Sequence, residues 1–481
     1  MRILLIKPYP ELLVARRLQE GFLHLEPLEL EIVAGGIPEE NEVKILDLSL
    51  EKDPIKEFQI ILEQMSPDMV GFTSYSSNSY QVKKLAGIVK KLNSSIVTVV
   101  GGLHATIVPH DFAVDDIDII VRGEGGTAME KIVNRFKCNR PLFFDNRSLS
   151  PKDPEFNLKV MLPAPDYPKL EEIPAPRRDL VKRSRYYCVW TSSPGKKLDS
   201  IFPQVASLRT SLGCVFSCSF CVVPKVMNGK YLQRKPEDVV DEIESLSEKY
   251  IYFVDDEMFL NAARTRRIAE LLLERRIKKH YISWARSDTI VEHPELFRLW
   301  KKAGLSTVYV GLESMNKASL DEFNKKTGVE TNRKAVVILR DIGITLHASF
   351  IVKQNFTKKD FKQLEQDVKD ICPAELSFTV LSPSPGTPFW YEQKNRFICD
   401  SFKYYDCMHT VLPTRLPLRQ FYQHFSDLYS SALRYNPLRV NKVRYPLREL
   451  IKVVFLGIKF VIATRTIYKD YIPERKRSEK K

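Results

Sequence analysis

Cysteine and histidine are scarce, eight of each in 481 residues, and tryptophan is scarcer still at four. So few cysteines exclude a disulfide-stapled scaffold, and the core has to come from apolar packing. The opening residues MRILLIKPYP hold an apolar run that stops at Pro8, too brief for a signal-peptide core and without a small-residue cleavage site. The chain therefore reads as intracellular and cytoplasmic. LIKVVFLGIKFVIA, residues 450–463, carries two lysines and is too short to be a transmembrane span. Lys and Arg outnumber Asp and Glu by 74 to 60, a formal +14, which favours anionic lipid, anionic cofactors or nucleic acid as partners. No recognition motif with stacking aromatics accompanies those cations, so nucleic acid is set aside.

What is present is an ordinary globular composition, 44% hydrophobic and 28% charged, over a length that suits roughly three domains. Residues 1–135 alternate apolar strands (RILLIKP, EVKILDLS, MVGFTSYS, IVTVVGG, DIIVRGEGG) with helical stretches, among them LEPLELEIVAG. Near-continuous apolar strands between amphipathic helices predict an α/β fold with a doubly wound parallel sheet, which takes ligands beyond the C-terminal edge of its strands. Gly101, Gly102, Gly123, Gly125 and Gly126 lie at those edges, where glycine admits close approach of a ligand. Residues 136–200, with LPAPDYPKL and IPAPRRD, read as a Pro-rich basic linker. From 201 to 390 six strand candidates (SLRTSL, YIYFVDD, YISWARSD, STVYVGLES, ITLHASFIV, ELSFTVLSP) alternate with helices, as in a partial (β/α)6 barrel with its chemistry at the strand C-termini. Residues 391–481 form a mostly helical C-terminal region.

GCVFSCSFC, residues 213–221, gathers three of the eight cysteines on the loop after the first barrel strand. A structural zinc site normally takes four ligands, and no second cysteine or histidine pair follows Cys221. A cubane iron–sulfur cluster held by three thiolates leaves one iron open for a substrate. Cys138, Cys188, Cys372, Cys399 and Cys407 stand apart and read as buried or incidental thiols.

The CxxxCxxC spacing of Cys214, Cys218 and Cys221 resembles the radical S-adenosylmethionine (SAM) superfamily. The resemblance implies a [4Fe-4S] cluster on those cysteines and a SAM site. Phe220 would lie against the adenine; Asp255, Asp256 and Glu257, closing the second strand, would meet the amino group. Arg286 at the end of the third strand would face the carboxylate, and Glu313 at the end of the fourth the ribose. One departure is SFIVKQN, where many members carry a Gly-rich turn after the fifth strand.

VVGGLHAT and VRGEGG closely resemble the domain that precedes the barrel in cobalamin-dependent radical SAM enzymes. That implies cobalamin, with Ser74, Gly101, Gly102, His104, Gly123 and Glu124 as its site. The DxHxxG motif that supplies a cobalt ligand in other cobalamin proteins is absent, so His104 reads as a loop residue near the corrinoid. FLHLEPLELEIV, VDDEMF and HTVLPTRLPLRQFY further resemble the hopanoid C-3 methylases. The function this implies is methylation of an unactivated carbon of a polycyclic or isoprenoid lipid, with a hydrophobic small-molecule substrate and an electron donor such as flavodoxin or ferredoxin. The alternative with the same cofactors is a cyclase or oxidase of a tetrapyrrole or other hydrophobic substrate.

For residues 450–463 two placements stay open. The stretch is an interfacial helix against anionic lipid at the inner face of the cell membrane, with Val453 and Phe460 facing lipid, or it packs on the barrel.

Overall fold

The computed structural model describes residues 1–137, 161–162, 167–192, 197–435 and 444–471. Cys138, much of the Pro-rich segment and the terminal RKRSEKK lie outside them.

The N-terminal sheet is parallel, in the order β2-β1-β3-β4-β5-β6, from β1 (Arg2–Lys7), β2 (Glu42–Asp47), β3 (Met69–Thr73), β4 (Val97–Gly101), β5 (Ile119–Val121) and β6 (Met161–Leu162). Its strands read as unbroken apolar runs because both faces are covered. Leu4, Ile6, Val70 and Phe72 pack into one core, and Ile3, Leu5, Met69 and Val99 into the other. Strand order reverses between β1 and β3, and that crevice lies at the C-terminal edge where doubly wound sheets bind ligands.

The second sheet is also parallel, with its strands adjacent in chain order: β7 (Val205–Leu208), β8 (Tyr250–Phe253), β9 (His280–Ala285), β10 (Leu305–Glu313), β11 (Thr345–Val352) and β12 (Glu375–Val380). Helices follow its strands on the outside, giving the partial (β/α)6 barrel. SLRTSL, expected as one strand, is divided. β7 ends at Leu208, and Ser211–Gly213 pairs antiparallel with Tyr231–Gln233. The break falls at Thr210, whose N–H donates to the Asp255 carboxylate at 3.0 Å rather than to a neighbouring strand.

The segment 136–200 does more than connect. It supplies β6 to the first sheet, and Leu180 and Val181 cover its second core. Arg177 N donates to Glu31 O at 2.9 Å, and Tyr187–Cys188 pairs with Leu23–His24. Arg178 lies between the two sheets: Nη1 donates to Glu26 at 2.5 Å, and Nη2 to Glu242 at 2.7 Å and to Ser207 O at 2.7 Å.

The C-terminal region packs helix Leu447–Thr466 against helices Leu13–Phe22 and Leu418–Tyr435. Phe460 sits between Phe22 and Tyr429, with ring centroids 5.4 and 5.0 Å away. That corrects the face expected to meet lipid, because Phe460 is 2% exposed and Val453 half-buried. The exposed apolar side chains are Leu447, Ile451, Val454, Phe455, Ile458 and Ile462, on the opposite side of the same helix. The helix is apolar on both faces, so its pattern cannot say which face is covered. Among the described residues no helix is long and apolar enough to cross a membrane.

Candidate active site

A cleft of about 680 Å³ runs between the C-terminal edge of the first sheet and the barrel. One wall is Thr73, Tyr75, Gly101, Gly102, Thr106, Gly123, Glu124 and Gly125; the other is Arg209, Leu212, Val223, Met227, Val254 and Asp256. The glycines are there for backbone reasons. At Gly102 φ is +96°, and a Cβ would stand 2.7 Å from Ser74 N, so no other residue makes this turn without moving the strand beside it. Ser74 is fully buried beneath that turn, its Oγ donating to Gly101 O at 2.7 Å, and it is not on the cleft wall. Glu124 lines the cleft, but its carboxylate caps the helix Gly126–Lys137, accepting from Gly126 N at 2.6 Å and Thr127 N at 2.8 Å.

His104 is placed differently from expectation. It lies in the short helix Leu103–Ile107 rather than a loop, and it is fully buried on the side away from the cleft. Its Nε2 is 3.2 Å from Asp111 and its Nδ1 3.0 Å from Ser76, while Phe402 and Phe112 pack edge-on against the ring. Burial works against ionisation of Asp111, but His104 and Lys83 hold its carboxyl down to about 2. Both imidazole nitrogens are thus engaged with protein. His104→Ala is expected to leave the absorption spectrum of bound cobalamin unchanged while lowering the thermal stability of the domain; loss of a nitrogen-ligand signal would contradict this placement.

On the barrel side, Gly213 at φ +92° turns the chain into the cysteine loop, and a Cβ there would meet Lys230 O at 2.1 Å. The loop is pinned without its thiols: Ser219 N donates to Phe323 O at 3.0 Å, and Asn324 Nδ2 to Ser217 O at 2.7 Å. Burial raises the Cys214 thiol and pushes the Cys221 thiol up to about 12, and the nearby Cys218 sulfur adds to both shifts. Among the described residues no group of Cys, His, Asp or Glu converges as for one bound ion. A cubane does not require that, since each thiolate takes a different iron. A thiolate-bound cluster is anionic, and two cations stand beside the loop. Arg286 Nη1 lies 4.0 Å from Cys218 Sγ, and the buried Lys325 also feels the Cys218 charge. The donor set and its charge fit a [4Fe-4S] cluster.

The three acidic residues after β8 diverge. Asp255 is buried and accepts from Thr210 N and Thr210 Oγ1, away from the cleft. Asp256 accepts from Gly213 N at 2.9 Å and borders the cleft. Glu257 accepts from Arg286 N at 2.9 Å, and its Oε1 is buried with no hydrogen-bond partner. Burial pushes Glu257 up to about 8 despite Arg286, and its charge is felt at Cys214. An orphaned carboxyl oxygen beside the cysteine loop is what the ammonium of an amino acid moiety would satisfy, so the residues present fit SAM.

Arg286 spends its fork on Asp288, through Nε at 2.9 Å and Nη2 at 2.6 Å, with Nη2 also donating to Lys325 O and the guanidinium 3.6 Å above the Phe216 ring. Glu313, at φ +59°, is paired with Lys325 Nζ at 2.8 Å. Phe220 packs edge-on against Phe323 at 5.7 Å, beside Ile351, Leu381 and Phe389. Where a Gly-rich turn was absent, Gln354 is buried and donates to Leu381 O, closing the end of β11 onto β12. Lys325, Asp288, Phe216 and Arg209 were missed by sequence reasoning. For Lys325 the signal was a run of cations in NKKTG, which looks like any solvated turn.

Comparison with known proteins agrees with this arrangement. Residues 21–133 match the B12 binding domain and residues 208–368 the Radical SAM superfamily. The chain is a cobalamin-dependent radical SAM enzyme, and these two domains imply cobalamin, a [4Fe-4S] cluster and SAM as its cofactors. Within that class it is 29% identical to the hopanoid C-3 methylase of Methylococcus capsulatus over 83% of this chain and 75% of that one. It is 27% identical to the anaerobic magnesium-protoporphyrin IX monomethyl ester cyclase of Rubrivivax gelatinosus, over 79% and 67%. Its fold matches the cobalamin-dependent SAM radical enzyme OxsB, solved with aqua-cobalamin and SAM bound, at a TM-score of 0.68 and 17% identity, over 96% of this chain and 71% of that one.

Proposed function

We propose that the protein is a methyltransferase acting on an unactivated carbon of a polycyclic or isoprenoid lipid, with a hopanoid methylated at C-3 as the foremost substrate. The observation that carries the reading is the shared cleft: the glycine edge of the B12-binding sheet and the segment just after the cysteine loop, Val223 and Met227, form its two walls. When bound, the cluster and one SAM would supply hydrogen abstraction from a C–H bond, and cobalamin would relay a methyl from a second SAM to replace that hydrogen. The chain positions and excludes water.

In this reading Cys214, Cys218 and Cys221 hold the cluster, with Arg286 and Lys325 offsetting its charge. Glu257 receives the SAM ammonium, Phe220 flanks the adenine and Glu313 meets the ribose. Gly101, Gly102, Gly123 and Gly125 let the backbone approach the corrin, and Tyr75 and Thr106 line its edge. Asp255 acts through Thr210 and Ser211, holding the start of the loop. A low-potential protein such as flavodoxin or ferredoxin delivers the electron. The protein works in the cytoplasm and meets the membrane peripherally, where its substrate is dissolved.

The test is methyl counting. Anaerobically reconstituted enzyme given SAM with a deuterated methyl and extracted hopanoids is expected to yield lipid carrying the intact labelled methyl. The similarity to the cyclase supports one rival, loss of hydrogen with ring closure or oxidation and no methyl gained. A product of that kind would replace the methyltransferase reading.

A further inference from the structure

Among the described residues, the helix Leu447–Thr466 has one face that no protein partner covers. Its exposed side chains recur every third or fourth residue, Leu447, Ile451, Phe455, Ile458 and Ile462, and form a single stripe along the helix. Ile451 is 62% and Ile462 58% exposed, far more than an aliphatic side chain in a settled core. The same helix carries Arg448, Lys452, Lys459 and Arg465 against one acid, Glu449, which turns inward to Ser200 Oγ and Ile201 N. Lys452 and Lys459 hold their ammonium groups over aromatic rings, 4.4 Å from the Phe202 centroid and 4.3 Å from that of Phe455. An apolar stripe bordered by cations is the pattern of a helix lying in a headgroup layer.

The second observation is where this helix sits. Gly21 of helix Leu13–Phe22 approaches it so closely that a Cβ there would be 3.6 Å from Leu456 Cβ, and Phe22 packs on Phe460. On that same neighbouring helix, Leu18 and Gln19 line the cleft, and Leu18 is 40% exposed. The stripe and the lip of the cleft are therefore one helix apart.

We propose that Leu447–Thr466 docks on an anionic bilayer leaflet, its stripe at the acyl boundary and its cations among the headgroups, and that docking brings the Leu18 lip of the cleft to the membrane surface. A membrane-dissolved substrate then enters past helix Leu13–Phe22 without crossing bulk water. The inference rests on the reading of the substrate as a lipid. A second copy of the chain is a poorer occupant, because a two-fold pairing of this helix with itself sets Lys452 and Lys459 near their own images with no acidic stripe to answer them.

The test is flotation of the full-length reconstituted protein with vesicles of phosphatidylcholine containing phosphatidylglycerol, against phosphatidylcholine alone. Wild type is expected to float with the anionic vesicles, more weakly at high salt and on neutral ones. Ile451→Glu/Ile458→Glu is expected to lower the vesicle partition coefficient by about a hundredfold while SAM cleavage in detergent stays at the wild-type rate. Should that pair fail to fold, Phe455→Ser/Ile462→Ser removes apolar area from the same stripe without adding charge. A wild type that stays with the pellet, a double variant that floats as well as wild type, or a wild-type dimer that the variant converts to monomer would each overturn the docking. The two readings fail separately. Flotation without methyl transfer to hopanoid supports docking and removes the substrate, and methylation of detergent-dissolved lipid without flotation removes docking.

Discussion

Replacing Cys214, Cys218 and Cys221 together by alanine is expected to give a folded, colourless protein that assembles no cluster and cleaves no SAM, a complete loss of activity. In the proposed reading these sulfurs hold the cluster, and no other described cysteine is placed to substitute: Cys188 is buried in a different core, and Cys372, Cys399 and Cys407 lie outside the loop. The fold should survive, because Gly213, Ser217 and Ser219 anchor the loop through backbone and side-chain contacts that do not involve sulfur. Burial holds the Cys221 thiol protonated in the cluster-free chain, so assembly must release protons. Iron and sulfide content after anaerobic reconstitution, beside far-UV circular dichroism, reads both parts. Cys372→Ala and Cys407→Ala should assemble the cluster normally. A triple variant that still binds a cubane and cleaves SAM would place the cluster elsewhere.

The cysteine loop and the strands were legible in the sequence because their information is local. Three ligands lie within eight residues, and runs such as ILLI and MVGF declare strands covered on both faces. What stayed hidden depends on partners distant in sequence. His104 sits beside two strand-edge glycines, yet its ring turns toward Asp111, Ser76 and Phe402, so neighbourhood in the chain misled about direction in space. The faces of Leu447–Thr466 were exchanged for the same reason: Phe22, more than four hundred residues earlier, decides that Phe460 is covered. Asp255, Asp256 and Glu257 are consecutive and alike in chemistry, but alternation after a strand end sends them to Thr210, to the cleft and to Arg286. The prolines of 136–200 announced a connection and concealed Arg178 and Arg183 within it, which pair with the buried Glu26 and Glu248.

Arg178→Ala is expected to cost about 3–5 kcal/mol, because it strips the counter-charge from acids that stay buried. Arg178 is itself mostly buried and reaches Glu26 and Glu31 of the N-terminal unit, and Glu242 and the Ser207 carbonyl of the barrel. Arg183 reaches Glu26 at 3.6 Å and also binds Glu248, so it compensates in part. The cost should depend on pH with a definite sign. Burial and the neighbouring Glu26 push the Glu31 carboxyl up to about 8, against the pull of Arg178 and Arg183. A raised carboxyl in the folded state favours the protonated form, so its contribution to stability is complete below its ordinary value near 4.5 and is lost as pH rises through about 8. Removing Arg178 pushes Glu31 higher still, and the variant should fall furthest behind wild type above about pH 8. Urea unfolding midpoints measured from acid to mildly alkaline pH read the stability difference, and retention of cobalamin on gel filtration reads whether the cleft has opened. Arg178→Lys should recover only part of the loss, since one ammonium cannot serve acids on both sides at once. If Arg178→Ala unfolds at the wild-type midpoint at every pH and keeps its cobalamin, the two units are held together by their apolar contacts, and the buried arginine is incidental to the cleft.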